Sequence, residues 1–248
     1  MKTKLKVFPR QDGISYPQIY RKFKAKSKNI DEIGVNEEEF LIQDLTENYF
    51  DDAVDLLVEY HARSSIFHRA AGTLLSDDGV ERIRQMYRKV FEENISLICL
   101  KADTNEIIGV NAITIRSKDD EASVPSDDPK FQILYDAKEF IEHSFNIMDY
   151  YDVDRFMFTA GLCVHKKHRC KGIATEILKA RAPLMKTIGV NVTASIFSTI
   201  GAQNAATSAG FTHHFSILYE DLEKLFSGMN FSHAYGNSCK LSAFKISD

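Results

Sequence analysis

Apolar positions recur along this chain in two rhythms: every three or four residues, as on one face of a helix, and in short β-branched or aromatic runs, as in strands. Residues 38–43 predict a first strand. Thr46 then stands where a helix N-cap belongs, ahead of a stripe made by Phe50, Val54, Leu57 and Tyr60. Residues 61–75, around Ala70-Ala71-Gly72, form a break or a short helix. Ser76-Asp77-Asp78 open a second helix over roughly 77–93, with Val80, Ile83, Met86 and Val90 inward. Residues 96–102 and 106–116, joined by Asp103-Thr104-Asn105, predict a β-hairpin. A polar loop at 117–129 precedes a helix at 130–144 whose face is Ile133, Leu134, Ala137 and Ile141.

A strand at about 154–164 runs into a basic turn and a helix at 172–188. That helix buries Ile173, Ile177, Ala180 or the stem of Arg181, Leu184 and Ile188, and ends at Gly189. Strands at 190–197, 211–219 and about 239–246, with short helices at 201–209 and 221–226, complete the chain. Helices interspersed among strands indicate an α/β fold on a mixed sheet. The strand–turn–helix–strand unit at 154–197 is a β-α-β crossover, so its two strands are expected to be parallel. In the 248 residues, an N-terminal extension at 1–35, with Lys and Arg concentrated in a solvated 1–29, precedes one domain at 36–248.

Composition narrows the class. A net charge of −4 argues against a general nucleic-acid binder. No apolar run approaches the roughly 18 residues of a membrane helix, and residues 1–10 lack the apolar core of a signal peptide. The four cysteines, Cys99, Cys163, Cys170 and Cys239, show no C-x-x-C pair, and the eight histidines no H-E-x-x-H, so no metal site is expected. A reduced, cytoplasmic protein is expected, with a monomer favoured.

The basic turn departs from this mild acidity. Lys166, Lys167, Arg169 and Lys171, with His165 and His168 between them, fall just before a helix start. Cations there oppose the helix dipole at about 0.3–1 kcal/mol each. The arrangement makes sense if an anion docks on the free N–H groups of the helix end. The P-loop and dinucleotide glycine patterns are absent. What remains is R-x-x-G-x-A, formed by Arg169, Gly172 and Ala174, with Gly210-Phe211 closing a later short helix.

This arrangement resembles the Gcn5-related N-acetyltransferase (GNAT) superfamily, whose core motif [RQ]-x-x-G-x-[GA] occupies the same junction. Within it the chain is similar to insect-type arylalkylamine N-acetyltransferases and their divergent relatives, through residues 17–23, 67–72, 108–111 and, above all, 151–174. The resemblance implies a GNAT fold: a single, mostly antiparallel mixed sheet of about seven strands, with a splayed parallel pair (the fourth and fifth strands) flanked by helices. It implies acetyl-CoA as cosubstrate, its pantetheine arm paired with Leu162 and Val164 around Cys163. The N–H groups of Arg169, Cys170, Lys171, Gly172, Ile173 and Ala174 would hold its pyrophosphate. Cys170 stands where the family often has Gly, and is accommodated if its φ is negative.

On the acceptor side, the family's catalytic glutamate aligns with Ser65, and Glu59, His61 and His68 are the neighbours able to substitute as base. The frequent tyrosine of the later helix aligns with Ala206, and the two serines of the insect-type enzymes with Ala202 and Ser208, leaving Ser208 to orient the leaving thiolate. Phe67, Tyr135, Phe145, Tyr150 and Tyr151 are candidate walls for an aromatic amine. Two functions are implied: acetyl transfer to a small amine, an arylalkylamine first, a polyamine or protein amine second; or acyl-CoA binding with weak or no turnover.

Overall fold

The computed structural model describes residues 9–26, 37–120 and 125–247. Residues 1–8 and 27–35 of the expected extension, residue 36 of the expected domain and 121–124 of the expected 117–129 loop lie outside the described residues. The strands are Ile19–Lys26 (β1), Glu37–Asp44 (β2), Leu97–Lys101 (β3), Ile107–Ser117 (β4), Arg155–Val164 (β5), Val192–Phe197 (β6), Thr212–Leu218 (β7) and Ser238–Lys245 (β8). They form one sheet in the order β1-β2-β3-β4-β5-β6-β8-β7. Every pairing is antiparallel except β5–β6, the pair joined by the predicted crossover.

The sheet has eight strands, one more than the resemblance implies. Strand β1, inside the expected 1–35 extension, pairs with β2 along the sheet edge. Its alternation of basic residues with Tyr20, Phe23 and Ala25 looks solvated in sequence, yet these three pack on the core. Arg10 locks this segment down, donating to Asp44 Oδ1 at 2.6 Å and to Tyr20 Oη at 2.5 Å, with the Asp44 side chain fully buried.

Helices Phe50–Leu57 (α1), Ile66–Ala71 (α2), Asp77–Phe91 (α3), Pro129–His143 (α4), Ile147–Tyr151 (α5), Ile173–Ile188 (α6), Ile200–Ser208 (α7) and Tyr219–Leu225 (α8) flank the sheet. One core lies under α1 to α4, a second under α6, and a small third between α6 and α7. Ser76 caps α3 as expected, its Oγ accepting from Gly79 N. The buried stripe of α3 is Ile83, Tyr87 and Phe91, a step round from the predicted one, because two aromatic rings one turn apart hide more area than Met86 and Val90. Helix α5 had no sequence signal: five residues cannot display a period.

Candidate active site

The parallel pair is joined over only two register positions, Met157↔Thr193 and Phe158↔Ala194. Beyond Phe158 the strands part, while β5 continues to Val164 against β4. His165 N donates to Ile108 O at 2.8 Å. Alternation along an antiparallel ladder therefore turns the backbone groups of Leu162 and Val164 away from β4, onto the open edge of β5. The Cys163 side chain faces the other way, its Sγ against Leu56 O at 3.8 Å, and burial pushes its thiol up to about 12. Ala174 and Leu162 pack on the small core between α6 and α7.

The turn that follows is sorted into anchors and free charges. His165 Nδ1 accepts from Lys167 N, so the neutral ring carries its proton on Nε2, which donates to Tyr60 Oη at 3.0 Å. His168 lies edge-on to Phe40. Burial first, then the neighbouring lysines, hold both imidazoles below the ordinary histidine range. Arg169 bends back, Nε donating to Val164 O and Nη2 to Tyr60 O, each at 3.1 Å. Lys171 pairs with Glu38 at 2.5 Å. Lys166 and Lys167 are exposed and have no ion pair among the described residues. The cations that looked equivalent in sequence thus divide: Arg169 and Lys171 hold the turn in place, while Lys166 and Lys167 face solvent.

The backbone matches this division. Gly172, at φ +78°, is the N-cap of α6 and supplies no side-chain cap. Among the described residues, the N–H groups from Cys170 to Thr175 find no protein acceptor. A Cβ on Gly172 would meet nothing within 4 Å, so the cradle is open. Open N–H groups, a helix N-terminus and two unpaired cations fit a pyrophosphate. The expectation for Cys170 is corrected: its φ is +62°, in the left-handed region, and its thiol is exposed. The turn needs that conformation to bring successive N–H groups to one side.

On the opposite face of β5, a π-helical turn at Val58–Ala62 follows α1. It presents Tyr60 to the basic turn and His61 to the core, where His61 Nδ1 lies 2.7 Å from Tyr87 Oη. Tyr87 Oη in turn abuts Gly161 of β5, where a Cβ would come within 3.0 Å of it. Burial pulls His61 down to about 3, so it is neutral, and His68 is likewise held well down, bonded to Thr73 at 2.8 Å. Lys138, on α4, is lowered by burial to about 8. Ser65 is the N-cap of α2, its Oγ accepting from His68 N at 3.4 Å. Glu59 pairs with Arg63 on the surface. Ser208 is exposed in the last turn of α7.

Of the candidate aromatic walls, Phe145, Tyr150 and Tyr151 come together, while Phe67 and Tyr135 lie apart from them. Phe67 is core, against Tyr219 and Phe231. Phe145, Tyr150 and Tyr151 surround His214, whose Nε2 lies 2.8 Å from Tyr151 Oη. Tyr135 lines a shallow groove of about 320 Å³ with Arg82, Met86 and Phe131. The His61–Tyr87–Gly161 contact escaped sequence reading because it joins three distant segments. Its one local trace is the break in helical spacing after Leu57.

A parallel pair that opens beside a strand-to-helix anion cradle defines the GNAT class of acetyltransferases. The candidate arylalkylamine N-acetyltransferase 7 of the yellow fever mosquito Aedes aegypti superposes with a TM-score of 0.89 at 30% identity, covering 96% of this chain and 99% of that one. The chain belongs to the GNAT superfamily, within its group of insect arylalkylamine N-acetyltransferases and their relatives. Two further solved structures share the fold: arylalkylamine N-acetyltransferase 2 of Aedes aegypti (TM-score 0.70, 17% identity, 84% of this chain and 99% of that one) and a polyamine N-acetyltransferase of Drosophila melanogaster (0.64, 8%, 84% and 100%). No family model and no curated protein matches the chain.

Proposed function

We propose that this acetyltransferase uses acetyl-CoA as cosubstrate and moves its acetyl group to a small amine, an arylalkylamine in the first instance, by direct attack in a ternary complex. The observation that carries the reading is the open edge of β5 leading into a turn whose N–H groups and two lysines have no partner among the described residues. Leu162 and Val164, on either side of Cys163, would pair by backbone with the pantetheine arm, a form of strand addition. Arg169 to Ala174 would cradle the pyrophosphate. The reaction expels a thiol, and orienting amine and thioester together recovers much of the barrier. Three buried free thiols, Cys99, Cys163 and Cys239, fit a reduced, cytoplasmic setting.

A second reading, acyl-CoA binding with little turnover, is favoured by one feature. Ser65, at the position expected for a catalytic glutamate, is engaged as a helix cap, and Glu59 is tied to Arg63. One experiment separates the two. Acetyl-CoA is titrated calorimetrically, and thiol release is followed over arylalkylamines, agmatine and polyamines. Binding with turnover supports the first reading, binding alone the second, and no binding overturns both.

A further inference from the structure

The gap between β5 and β6 closes on a buried cation. Arg181, on α6, is 0% exposed. Its Nε donates to Asn111 Oδ1 on β4 at 2.9 Å, its Nη1 to Thr193 Oγ1 and Ser195 Oγ on β6 at 3.0 Å each, and its Nη2 to Thr159 Oγ1 on β5. Thr159 is the first residue past the last backbone pair with β6, and its hydroxyl lies 2.5 Å from Ser195 Oγ. Guanidinium and hydroxyls therefore join the strands at the level where the backbone ladder stops.

Every element packed against Arg181 offers it a neutral group: Asn111, Thr159, Thr193 and Ser195, and the ring of Phe211 at 5.7 Å from the guanidinium carbon. No carboxylate pairs with it among the described residues. Burial alone shifts it, down to about 9, so it stays charged at neutral pH. A buried charge without a counter-ion is strongly unfavourable. An anion that arrives during the reaction would account for it.

Acetyl transfer supplies one. The amine nitrogen bonds to the thioester carbon and gives up a proton to water; the C–S bond breaks, and its electron pair leaves with sulfur. Helix α7 turns Ala205 and Ala206 inward and leaves Ser208 exposed. We propose that Arg181 is a positioning residue whose uncompensated charge, acting through Thr159 and Ser195 at the closed end of the gap, favours departure of the CoA sulfur as a thiolate. This rests on the acetyl-CoA reading above.

The test compares CoA with desulfo-CoA, which lacks the thiol, in calorimetric titrations of the full chain. In the wild type, the affinity for CoA relative to desulfo-CoA rises at least about fivefold between about pH 6.5 and 8.5, because a nearby cation draws the bound thiol toward ionisation. In Arg181→Met the rise falls to within about twofold, and Arg181→Lys, which keeps the charge, restores most of it. Cys163, beside the gap, is pushed up to about 12 and stays a neutral thiol across this window, and the ratio to desulfo-CoA cancels any titration of the protein that acts on both compounds alike. Binding of both compounds with a flat ratio in the wild type overturns this inference alone and needs no variant. A rise that survives Arg181→Met also overturns it. Binding of neither compound overturns the acetyl-CoA reading, and this inference with it.

Discussion

Lys171 Nζ lies 2.5 Å from Glu38 Oε2, so one of the turn's cations is neutralised by β2 before any ligand arrives. Lys166 and Lys167 have no such partner among the described residues and remain available to an anion. The double variant Lys166→Ala/Lys167→Ala is expected to weaken acetyl-CoA binding by about 5- to 20-fold, with a shallower salt dependence than wild type. Lys171→Met should change it less than about threefold while lowering stability. Calorimetry at two ionic strengths checks both; a larger binding loss for Lys171→Met would reverse the assignment.

The same pair makes stability depend on pH. Burial alone would raise the Glu38 carboxyl, but the Lys171 ammonium, backed by His168 and Lys101, holds it below 4.5. A carboxyl lowered in the folded state stabilises the fold above its unfolded value, and that stability is lost as pH falls through the folded value. Glu38→Gln should therefore cost about 1 kcal/mol near pH 7 and progressively less under about pH 4. Urea unfolding across this range should show the two proteins converging in acid.

Backbone strain in the turn resides at Cys170, with φ +62°. Cys170→Gly should stabilise the protein by about 0.5–1 kcal/mol, since glycine takes this conformation without penalty. Gly172, at +78°, has open space around it, so Gly172→Ala should cost stability through its backbone alone. Gly172→Gln combined with Arg169→Ala should raise the acetyl-CoA dissociation constant at least about tenfold, the side chain entering the cradle and the turn losing its anchor to Val164 and Tyr60. Thermal melts and calorimetry separate the two effects.

Gly161 tests the packing of α1 and α3 against β5. A methyl group there would sit within 3.0–3.2 Å of Tyr87 and Leu57. Gly161→Ala should cost about 1–3 kcal/mol by overpacking, and Gly161→Ala/Tyr87→Phe should recover part of it by removing the crowded hydroxyl. Recovery absent from the double-mutant cycle would mean the two residues are not coupled.

Ser65→Glu places a carboxylate where the family's base is expected. It removes a cap worth about 0.5–2 kcal/mol, so a lower melting temperature is expected. Under the acetyltransferase reading, kcat rises and gains an acid limb in its pH profile. A rate and profile identical to wild type would show that Ser65 does not face the acceptor.

Local patterns in the sequence account for much of the architecture. The helix at 173–188, the crossover and the hairpin announce themselves because spacing, caps and turn residues act within a few positions of one another. The anion cradle is legible for the same reason: Arg169, Gly172 and Ala174 are near neighbours, and cations crowding a helix start are conspicuous. Tertiary structure alone decided which charges are free. Glu38 neutralises Lys171 from 133 positions away, and the π-helical turn takes the Arg169 guanidinium. It also decided the strand β1, whose alternating lysines look solvated until Arg10 and Asp44 join it to β2. Arg181 shows the division most plainly. In sequence it is one residue of a helical stripe, its stem counted toward the core. Only the folding of β4, β5 and β6 around it places a charge without a counter-ion where the strands part, because burial and Coulomb energy depend on distance in space and not along the chain.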